Sequence, residues 1–233
     1  DTTPEGEQVN IYGNHVGSWN FAATAYLNQW KVKIYYEHYF DDHSQMFFQY
    51  GRWKDGHIGL EITFPKNRFI DTFVYEGLGT KDQTGPMLYD SFWGEFEEQI
   101  SAKDNYYNHY LYQGWQHWGM GIGNPLLPGP IYNKNGQITF ISNRVLAHHI
   151  GFCGSPCQSL SYRMLLSYSR HWGTYDNPLN EIKKQFNSLF EVTYAPQQLK
   201  GWSFTVSGAM DRGSMLGNNY GGMLVIRKQG IIK

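Results

Sequence analysis

The sequence predicts an all-β protein, specifically an antiparallel transmembrane β-barrel of the outer-membrane type. Three observations predict it: side chains alternate between apolar and polar with a period of two, connections alternate between short and long, and the chain is polar yet rich in aromatic residues. The 233 residues include 18 Tyr, 14 Phe, 8 Trp and 26 Gly, and the mean hydropathy is -0.53. A run of about 18 apolar residues is absent from the sequence, so we predict no transmembrane helix.

The first hairpin shows the alternation most clearly. Apolar residues from Trp19 to Leu27 alternate with polar or small ones, residues 28–29 reverse the chain, and apolar residues from Trp30 to Tyr36 alternate with charged or tyrosine side chains. One face of this hairpin is therefore apolar and the other is charged. In a soluble sandwich the apolar face would meet a second sheet, whereas in a barrel it meets lipid and the charges face water in the lumen.

The same alternation recurs along the chain. It predicts further strands at 58–64, 69–78, 141–152, 159–170, 186–194, 202–211 and 220–227. Short connections are predicted at 28–29, 65–68, 153–158 and 195–201, and long ones at 40–56, 79–140, 171–184 and 212–219. Outer-membrane barrels have short periplasmic turns and long extracellular loops, and strands of about ten residues suit a tilted crossing of the bilayer. The barrel is therefore favoured over the sandwich.

These strands amount to about nine crossings, whereas single-chain bacterial barrels have an even number of strands. An open sheet would leave two unpaired edges in lipid. We therefore expect residues 1–233 to be one domain, the C-terminal part of a barrel that a missing N-terminal part or a partner chain closes. No signal peptide is recognisable at 1–7, and Val9 and Ile11 could belong to one more strand.

The two cysteines, Cys153 and Cys157, lie in the segment Cys-Gly-Ser-Pro-Cys. A lone pair cannot supply a four-ligand zinc site. In an oxidising periplasm a local disulfide between them is sterically permitted by the turn residues that separate them, and two free thiols are the alternative. We expect the disulfide.

The connection at 79–140 contains most of the residues suited to binding. Loops this long are usually functional, and this one is dense in aromatic and amide side chains. Aromatic rings stack on the apolar faces of sugars, while Asn, Asp and Gln hydrogen-bond sugar hydroxyl groups. The residues that point to a saccharide site are Asp104, Tyr106, Tyr107, Asn108, Tyr112, Trp115 and Trp118. The alternative is that these aromatic residues form the loop's own core and plug the barrel.

The same region resembles the Wzi-like family of capsule-assembly outer-membrane proteins. The resemblance rests on Glu76 at the end of a strand, on Thr-x-x-Gln-x-Gly-Pro at 80–86, on Asp-x-Tyr-Tyr-Asn-His at 104–109, and on Gly-Asn-Pro at 123–125. It implies the C-terminal half of an eighteen-stranded barrel that holds capsular polysaccharide at the cell surface. It also adds Gln83 and His109 to the expected ligand-binding residues. The N-terminal helical element of such proteins is not recognisable in this sequence.

Other functional classes find less support. Nineteen basic residues against twenty acidic ones give no basic surface for nucleic acid. His148 and His149 are neighbours in a predicted strand, so their rings should point to opposite faces and cannot share a metal. We expect no cofactor, no metal and no catalytic Ser-His-Asp or Cys-His set, although paired carboxylates for glycoside cleavage depend on spatial separation and stay open.

The leading hypothesis is a non-enzymatic, lectin-like protein of the cell outer membrane that binds and organises capsular or extracellular polysaccharide. The expected partners are that polysaccharide, outer-membrane lipid, the remaining N-terminal part of the barrel and other outer-membrane proteins. The alternatives are a transport pore, a scaffold subunit of a larger outer-membrane complex, and an outer-membrane hydrolase.

Overall fold

Long antiparallel strands dominate the computed structural model, which describes residues 17–40, 55–67, 69–83, 105–108 and 115–230. Over these residues nine strands form one sheet and two short strands form a separate hairpin. The nine strands are β1 (Gly17–Leu27), β2 (Trp30–Phe40), β3 (Gly56–Thr63), β4 (Thr72–Gly79), β7 (Val145–Cys157), β8 (Leu160–Gly173), β9 (Pro178–Tyr194), β10 (Trp202–Gly213) and β11 (Asn219–Lys228). The short hairpin is formed by β5 (Gln116–His117) and β6 (Met120–Gly121) and is followed by a 3-10 turn at Pro130–Tyr132.

The sheet is an antiparallel meander with the strand order β1-β2-β3-β4-β7-β8-β9-β10-β11. β4 pairs directly with β7, so residues 80–144 leave the sheet and return to it at the same end. β1 and β11 are the two edges and do not pair with each other, so the sheet formed by the described strands is not closed. The expected all-β class, the nine strands and the open edges are confirmed. A helix long and apolar enough to span a membrane is absent from the described ranges.

The turns explain where the predicted strand limits hold and where they do not. The two-residue turn at 28–29 is confirmed, with Asn28 in a left-handed conformation (φ 57°) that Asn tolerates better than most residues. β4 begins at Thr72 and not at Phe69, because Asn67 folds the preceding segment into a turn. The Asn67 side chain donates to the carbonyl of Ile70 at 2.7 Å and accepts from the Phe69 amide at 2.8 Å.

The turn expected at 153–158 is wrong, because β7 continues through Cys157 and reverses only at 158–159. Cys153 and Cys157 are free thiols. An extended strand rises about 3.3 Å per residue, which separates the two Cα atoms by roughly 13 Å, whereas a disulfide needs less than about 7 Å. The expected disulfide is therefore not formed in the extended strand.

The alternation of connection lengths holds for the first half of the sheet only. Residues 41–55 and 80–144 are long connections, but the long connection expected at 171–184 is wrong. β8 and β9 stay paired as far as Gly173 and Pro178, and only residues 174–177 join them. The predicted limits were too narrow because residues 178–185 are mostly polar, and their apolar residues Leu179 and Ile182 are three positions apart and do not alternate.

Each strand residue belongs to one of two faces, because partners across an antiparallel ladder point to the same side of a sheet. We call one side the apolar face; one row of partners across it is Ala25, Val32, Ile62, Phe73, Phe152, Met164 and Phe190. The other side is the polar face, where Lys31 lies 3.7 Å from Glu61 and Arg163 lies 3.4 Å from Glu191. Many large side chains of the apolar face are exposed, at 60% for Val206, and others such as Phe73 and Phe152 are half-buried.

Candidate functional site

The described parts of the segment 80–144 pack against the polar face at the end of the sheet that carries the two long connections. Leu78, Val145 and Ala147 project from that face, because Leu78 and Ala147 are partners across β4 and β7 and Val145 lies two residues before Ala147. These three residues form a buried cluster with Leu127 of the segment. The segment therefore covers part of the polar face.

A buried carboxylate, Asp55, holds the start of the segment in place. Its two oxygens accept hydrogen bonds from the backbone amides of Asp82 at 2.8 Å and Gln83 at 2.6 Å, and from the hydroxyl of Tyr106 at 3.0 Å. Only 2% of Asp55 is exposed. Burial raises the pKa of the Asp55 carboxyl above its usual range, and these three hydrogen bonds partly offset the rise.

Asn143 is a second anchor of the segment. Its carbonyl oxygen accepts hydrogen bonds from Thr80 Oγ1 at 2.7 Å and from Gln83 Nε2 at 3.1 Å. Its side-chain amide donates to Asn105 Oδ1 and to the carbonyl of Tyr106. Gln83 is fully buried in this arrangement, so its side chain holds the loop together.

Asn108 and Tyr107 join the part of the segment before residue 109 to the part after residue 114. The Asn108 side chain donates to the carbonyl of Phe140 and accepts from the amide of Phe140, both at 2.8 Å, which imitates a pair of backbone ladder bonds. The ring of Tyr107 stacks on Phe140 with 4.9 Å between centroids. The side chain of Asn108 is thus used in the loop's own structure, and the half-buried Tyr107 ring also packs against the cluster that contains Leu127.

A cleft of about 480 Å³, which we call the loop–sheet cleft, lies between the segment and the polar face. Its aromatic lining includes Tyr39, Tyr107 and Trp115. Its polar lining includes Glu37, His57 and Asn124. Tyr39 is on β2 and Asn124 is in the segment, so both walls contribute to the lining of the cleft. The cleft therefore presents both ring surfaces and hydrogen-bonding groups.

The floor of the cleft is a network of side chains on neighbouring strands. His57 lies between two carboxylates, with Nδ1 3.5 Å from Glu37 and Nε2 3.5 Å from Glu76. Ser18 Oγ donates to Glu37 at 2.8 Å, and the Tyr35 hydroxyl donates to Glu76. The two carboxylates are held in fixed positions by these partners, and Glu37 remains in contact with the cleft.

The structure places the predicted binding residues in three groups. Tyr107 and Trp115 line the cleft. Tyr106 also lines it, but its hydroxyl is bound to Asp55. Gln83 and Asn108 belong to the framework of the loop. Three predicted residues, Asp104, His109 and Tyr112, lie outside the described residues.

Sequence reasoning missed several residues of the site. Asp55 stands alone in a stretch expected to be a connection, and no pattern marks it. Tyr39 is likewise unmarked, and Asn124 belongs to the Gly-Asn-Pro stretch but was not among the expected binding residues. The pairing of Glu37 with His57 follows from the β2–β3 register, which aligning the two predicted alternations could have found.

The described histidines are not grouped with other possible metal ligands. His148 is on the apolar face beside Tyr75, with 2.8 Å between His148 Nδ1 and the Tyr75 hydroxyl, and His149 is on the polar face 2.7 Å from Ser167 Oγ. The prediction that these two rings point to opposite faces is confirmed. Within the described ranges, no group of three or more His, Cys, Asp or Glu side chains is arranged to hold a metal ion.

Comparisons with protein-family models, with curated proteins and with solved structures find no match to this chain.

Proposed function

We propose that this chain forms part of the wall of an outer-membrane β-barrel, with the apolar face toward lipid and the polar face toward the lumen. The supporting observation is the extent of exposed apolar surface, which reaches from β1 to β11. Its exposed members include Phe21, Ile34, Ile58, Ile150, Phe190, Val206 and Leu224. The largest apolar patch on a soluble monomer is typically about 300–600 Å², and a surface across nine strands exceeds that.

Aromatic residues flank the apolar rows at both ends, as they do in membrane barrels. At the end with the short turns, Trp30 lies 5.0 Å from Phe64 and Trp202 stacks beside Phe204 at 6.3 Å. At the end with the long connections, the apolar face carries Trp19 and Tyr168, both exposed. Their exposed fractions are 43% for Trp19 and 40% for Tyr168. In the proposed orientation these two bands lie at the two membrane surfaces, and the loop–sheet cleft is extracellular.

Further strands complete this proposed barrel. The edges β1 and β11 carry unpaired backbone groups, and each unsatisfied group in lipid costs several kcal/mol. The remaining strands come from the rest of an eighteen-stranded barrel, as the likeness to the Wzi-like family implies. The alternative source is a partner chain.

The proposed activity is non-enzymatic binding of capsular or extracellular polysaccharide in the loop–sheet cleft. The observation that carries it is the combination of Tyr107 and Trp115 on the loop side with Glu37 and Asn124 within one cleft. Ring faces stack on the apolar faces of sugar units, and the carboxylate and amide bind hydroxyl groups. The cleft lies at the end of the sheet where an extended polymer can reach it from outside the cell.

The test replaces Trp115 by Ala and, separately, Glu37 by Gln in the full-length protein. Trp118→Ala is the matched control, because Trp118 is on the same short hairpin but is 86% exposed and does not line the cleft. Loss of one stacking surface, worth about 1 kcal/mol, should weaken binding of the host's purified capsule roughly fivefold. Both cleft variants should also release capsule from cells, whereas Trp118→Ala should not.

Heat-modifiable migration on a gel shows whether each variant still folds and inserts. If Trp115→Ala and Glu37→Gln insert normally and bind capsule like the parent, the cleft is not the saccharide site. If Trp118→Ala is the variant that loses capsule, the site is on the outer surface of the loop.

A further inference from the structure

Charged residues are distributed unevenly on the apolar face. Among the strand positions with a ladder partner on that face, there is no Asp or Glu, because the paired acidic residues Glu37, Glu61, Glu76, Glu191 and Asp211 all project from the polar face. Glu181 is in the irregular stretch of β9 between Pro178 and Lys183, outside the regular ladder with β8. The cationic strand residues on the apolar face are Arg170, Lys184, Arg212 and Lys228. Three of these four are at the end that carries the long connections.

Arg170 and Lys184 are direct partners across β8 and β9. Like charges directly opposite each other destabilise a sheet. Arg212 is close to this pair, since it is the partner of Phe186, two residues from Lys184. All three side chains are exposed, and within the described ranges none of them forms a salt bridge with a carboxylate. Their positive charge is therefore uncompensated by the described protein.

Two more cations, Lys81 and Arg144, extend this cluster, and each lies over an aromatic ring. Lys81 Nζ lies 4.7 Å from the ring centroid of Trp172, and Arg170 lies 5.4 Å from the same ring. Arg144 lies 3.9 Å from the ring of Tyr175. Lys81 comes two residues after Gly79, and Arg144 comes two residues before Leu146. Because Gly79 and Leu146 are on the apolar face, strand alternation assigns Lys81 and Arg144 to the same face. We call the five cations Lys81, Arg144, Arg170, Lys184 and Arg212 the rim patch.

The opposite end of the apolar face carries a single strand cation among the described residues. Lys228 is the strand cation there, its ammonium lies 5.5 Å from the Trp202 ring, and it donates to the carbonyl of Lys200. A single cation of this kind is an ordinary interfacial anchor. Five cations without a described carboxylate partner at the other end indicate a ligand that carries several negative charges.

The position of the rim patch indicates the chemistry of that ligand. On β8 and β9 it begins directly beyond the pair Tyr168 and Phe186. A molecule that covers both regions needs acyl chains for the rows and an anionic headgroup for the cations. Arginine binds phosphate in a bidentate manner, and the arginines here supply that geometry.

We propose that the rim patch binds the phosphate groups of an outer-leaflet glycolipid of the lipopolysaccharide type. This inference rests on the membrane placement proposed above, which puts the rim patch at the height of the outer-leaflet headgroups. It does not depend on the loop–sheet cleft, which is on the other face of the sheet. The glycolipid phosphates neutralise the Arg170–Lys184 pair, and its acyl chains cover the rows below Tyr168.

The test uses the full-length protein in detergent, with native mass spectrometry to detect bound lipid. The probes are bisphosphorylated lipid A, the same lipid A without its phosphates, and a soluble anionic polysaccharide without acyl chains. The double variant Arg170→Gln/Lys184→Gln should bind bisphosphorylated lipid A at least about tenfold more weakly than the parent, by analogy with charge-assisted contacts. Lys228→Gln, on the same face at the other end, is the matched control and should bind it like the parent.

Equal binding of phosphorylated and dephosphorylated lipid A by the parent would overturn the proposal, as would unchanged binding by the double variant. Equally tight binding of the soluble polysaccharide, lost in the same variant, would also overturn it and assign the patch to a polymer. Flotation of the parent with phosphatidylcholine vesicles tests the membrane placement separately. A parent protein that does not insert contradicts the barrel proposal itself. A parent that inserts but binds phosphorylated and dephosphorylated lipid A equally contradicts only the rim-patch proposal.

Discussion

The hydroxyl of Tyr106 donates a 3.0 Å hydrogen bond to Oδ2 of Asp55, a residue 51 positions earlier in the chain. Asp55 directly precedes β3, and Tyr106 belongs to the segment that covers the polar face. One buried carboxylate thus connects the sheet to the loop. We therefore expect this side chain to contribute to the order of the loop together with the second anchor, Asn143.

Replacing Asp55 by Asn should loosen the loop while the sheet remains intact. The Asn side chain puts an NH₂ group where an oxygen now accepts a hydrogen bond, and a buried donor without a partner costs about 1–3 kcal/mol. Hydrogen exchange at the amide of Gln83 should accelerate by about tenfold or more. Tyr106→Phe removes one hydrogen bond only and should have a smaller effect. Unchanged exchange in Asp55→Asn would show that the loop is held elsewhere.

Gly123 should not tolerate a side chain. Its φ is 110°, and a Cβ atom there would lie 2.6 Å from the hydroxyl oxygen of Tyr107, inside the loop–sheet cleft. Gly123→Ala should therefore displace Tyr107 and weaken saccharide binding several-fold. Gly221→Ala is the control, because its Cβ meets nothing within 4 Å and its backbone is ordinary. Equal saccharide affinity of the two variants would contradict a role for the Tyr107 position.

The proposed orientation predicts opposite labelling of two exposed positions. Lys66 is in the turn before β4, and Asn177 is in the connection between β8 and β9 at the other end of the sheet. In a variant with Ser at 153 and 157, cysteine at Asn177 should react on whole cells with a membrane-impermeant thiol reagent. Cysteine at Lys66 should react only after the outer membrane is permeabilised. The reverse pattern would invert the topology.

The thiols of Cys153 and Cys157 should remain separate under oxidising conditions, because both lie in the extended strand β7. The intact mass of the purified protein should correspond to two reduced cysteines, and both should be alkylated after unfolding without reductant. A mass lower by two hydrogen atoms would show that the strand is not extended there.

The loop position also predicts weak ion conduction. Residues of 80–144 pack on the polar face, which faces the lumen in the proposed barrel. The parent should therefore be nearly silent in a planar bilayer, and Asp55→Asn should increase the frequency of opening. Steady, large conductance of the parent would favour the transport-pore alternative.

The fold was predictable from the sequence wherever one face of a strand is apolar. β1, β2 and β10 follow the predicted alternation closely, because nearly every second side chain there is apolar. The first part of β9 was missed because the residues before Gln185 are mostly polar, and Leu179 and Ile182 do not alternate. The end of β7 was missed because the turn-forming residues Gly154, Ser155 and Pro156 lie at a β-bulge within the strand and not in a turn.

The site was predictable only in its composition. The aromatic and amide density of the loop indicated binding, and Tyr107 and Trp115 do line a cleft. Which residues face the cleft and which hold the loop together depends on contacts between distant parts of the chain. Gln83 and Asn108 have side chains suited to binding sugars, yet Asn143 and Phe140 engage them.

The direct pairing of β4 with β7 has a consequence for how such a protein can diversify. Gly79 is the partner of Leu146, and the amide of Thr80 bonds the carbonyl of Val145, so the segment between them starts and finishes at neighbouring positions of one ladder. The wall does not need that segment in order to keep its register. A short turn, or a different insert with a different ligand preference, could therefore replace the segment without a change in the β4–β7 register.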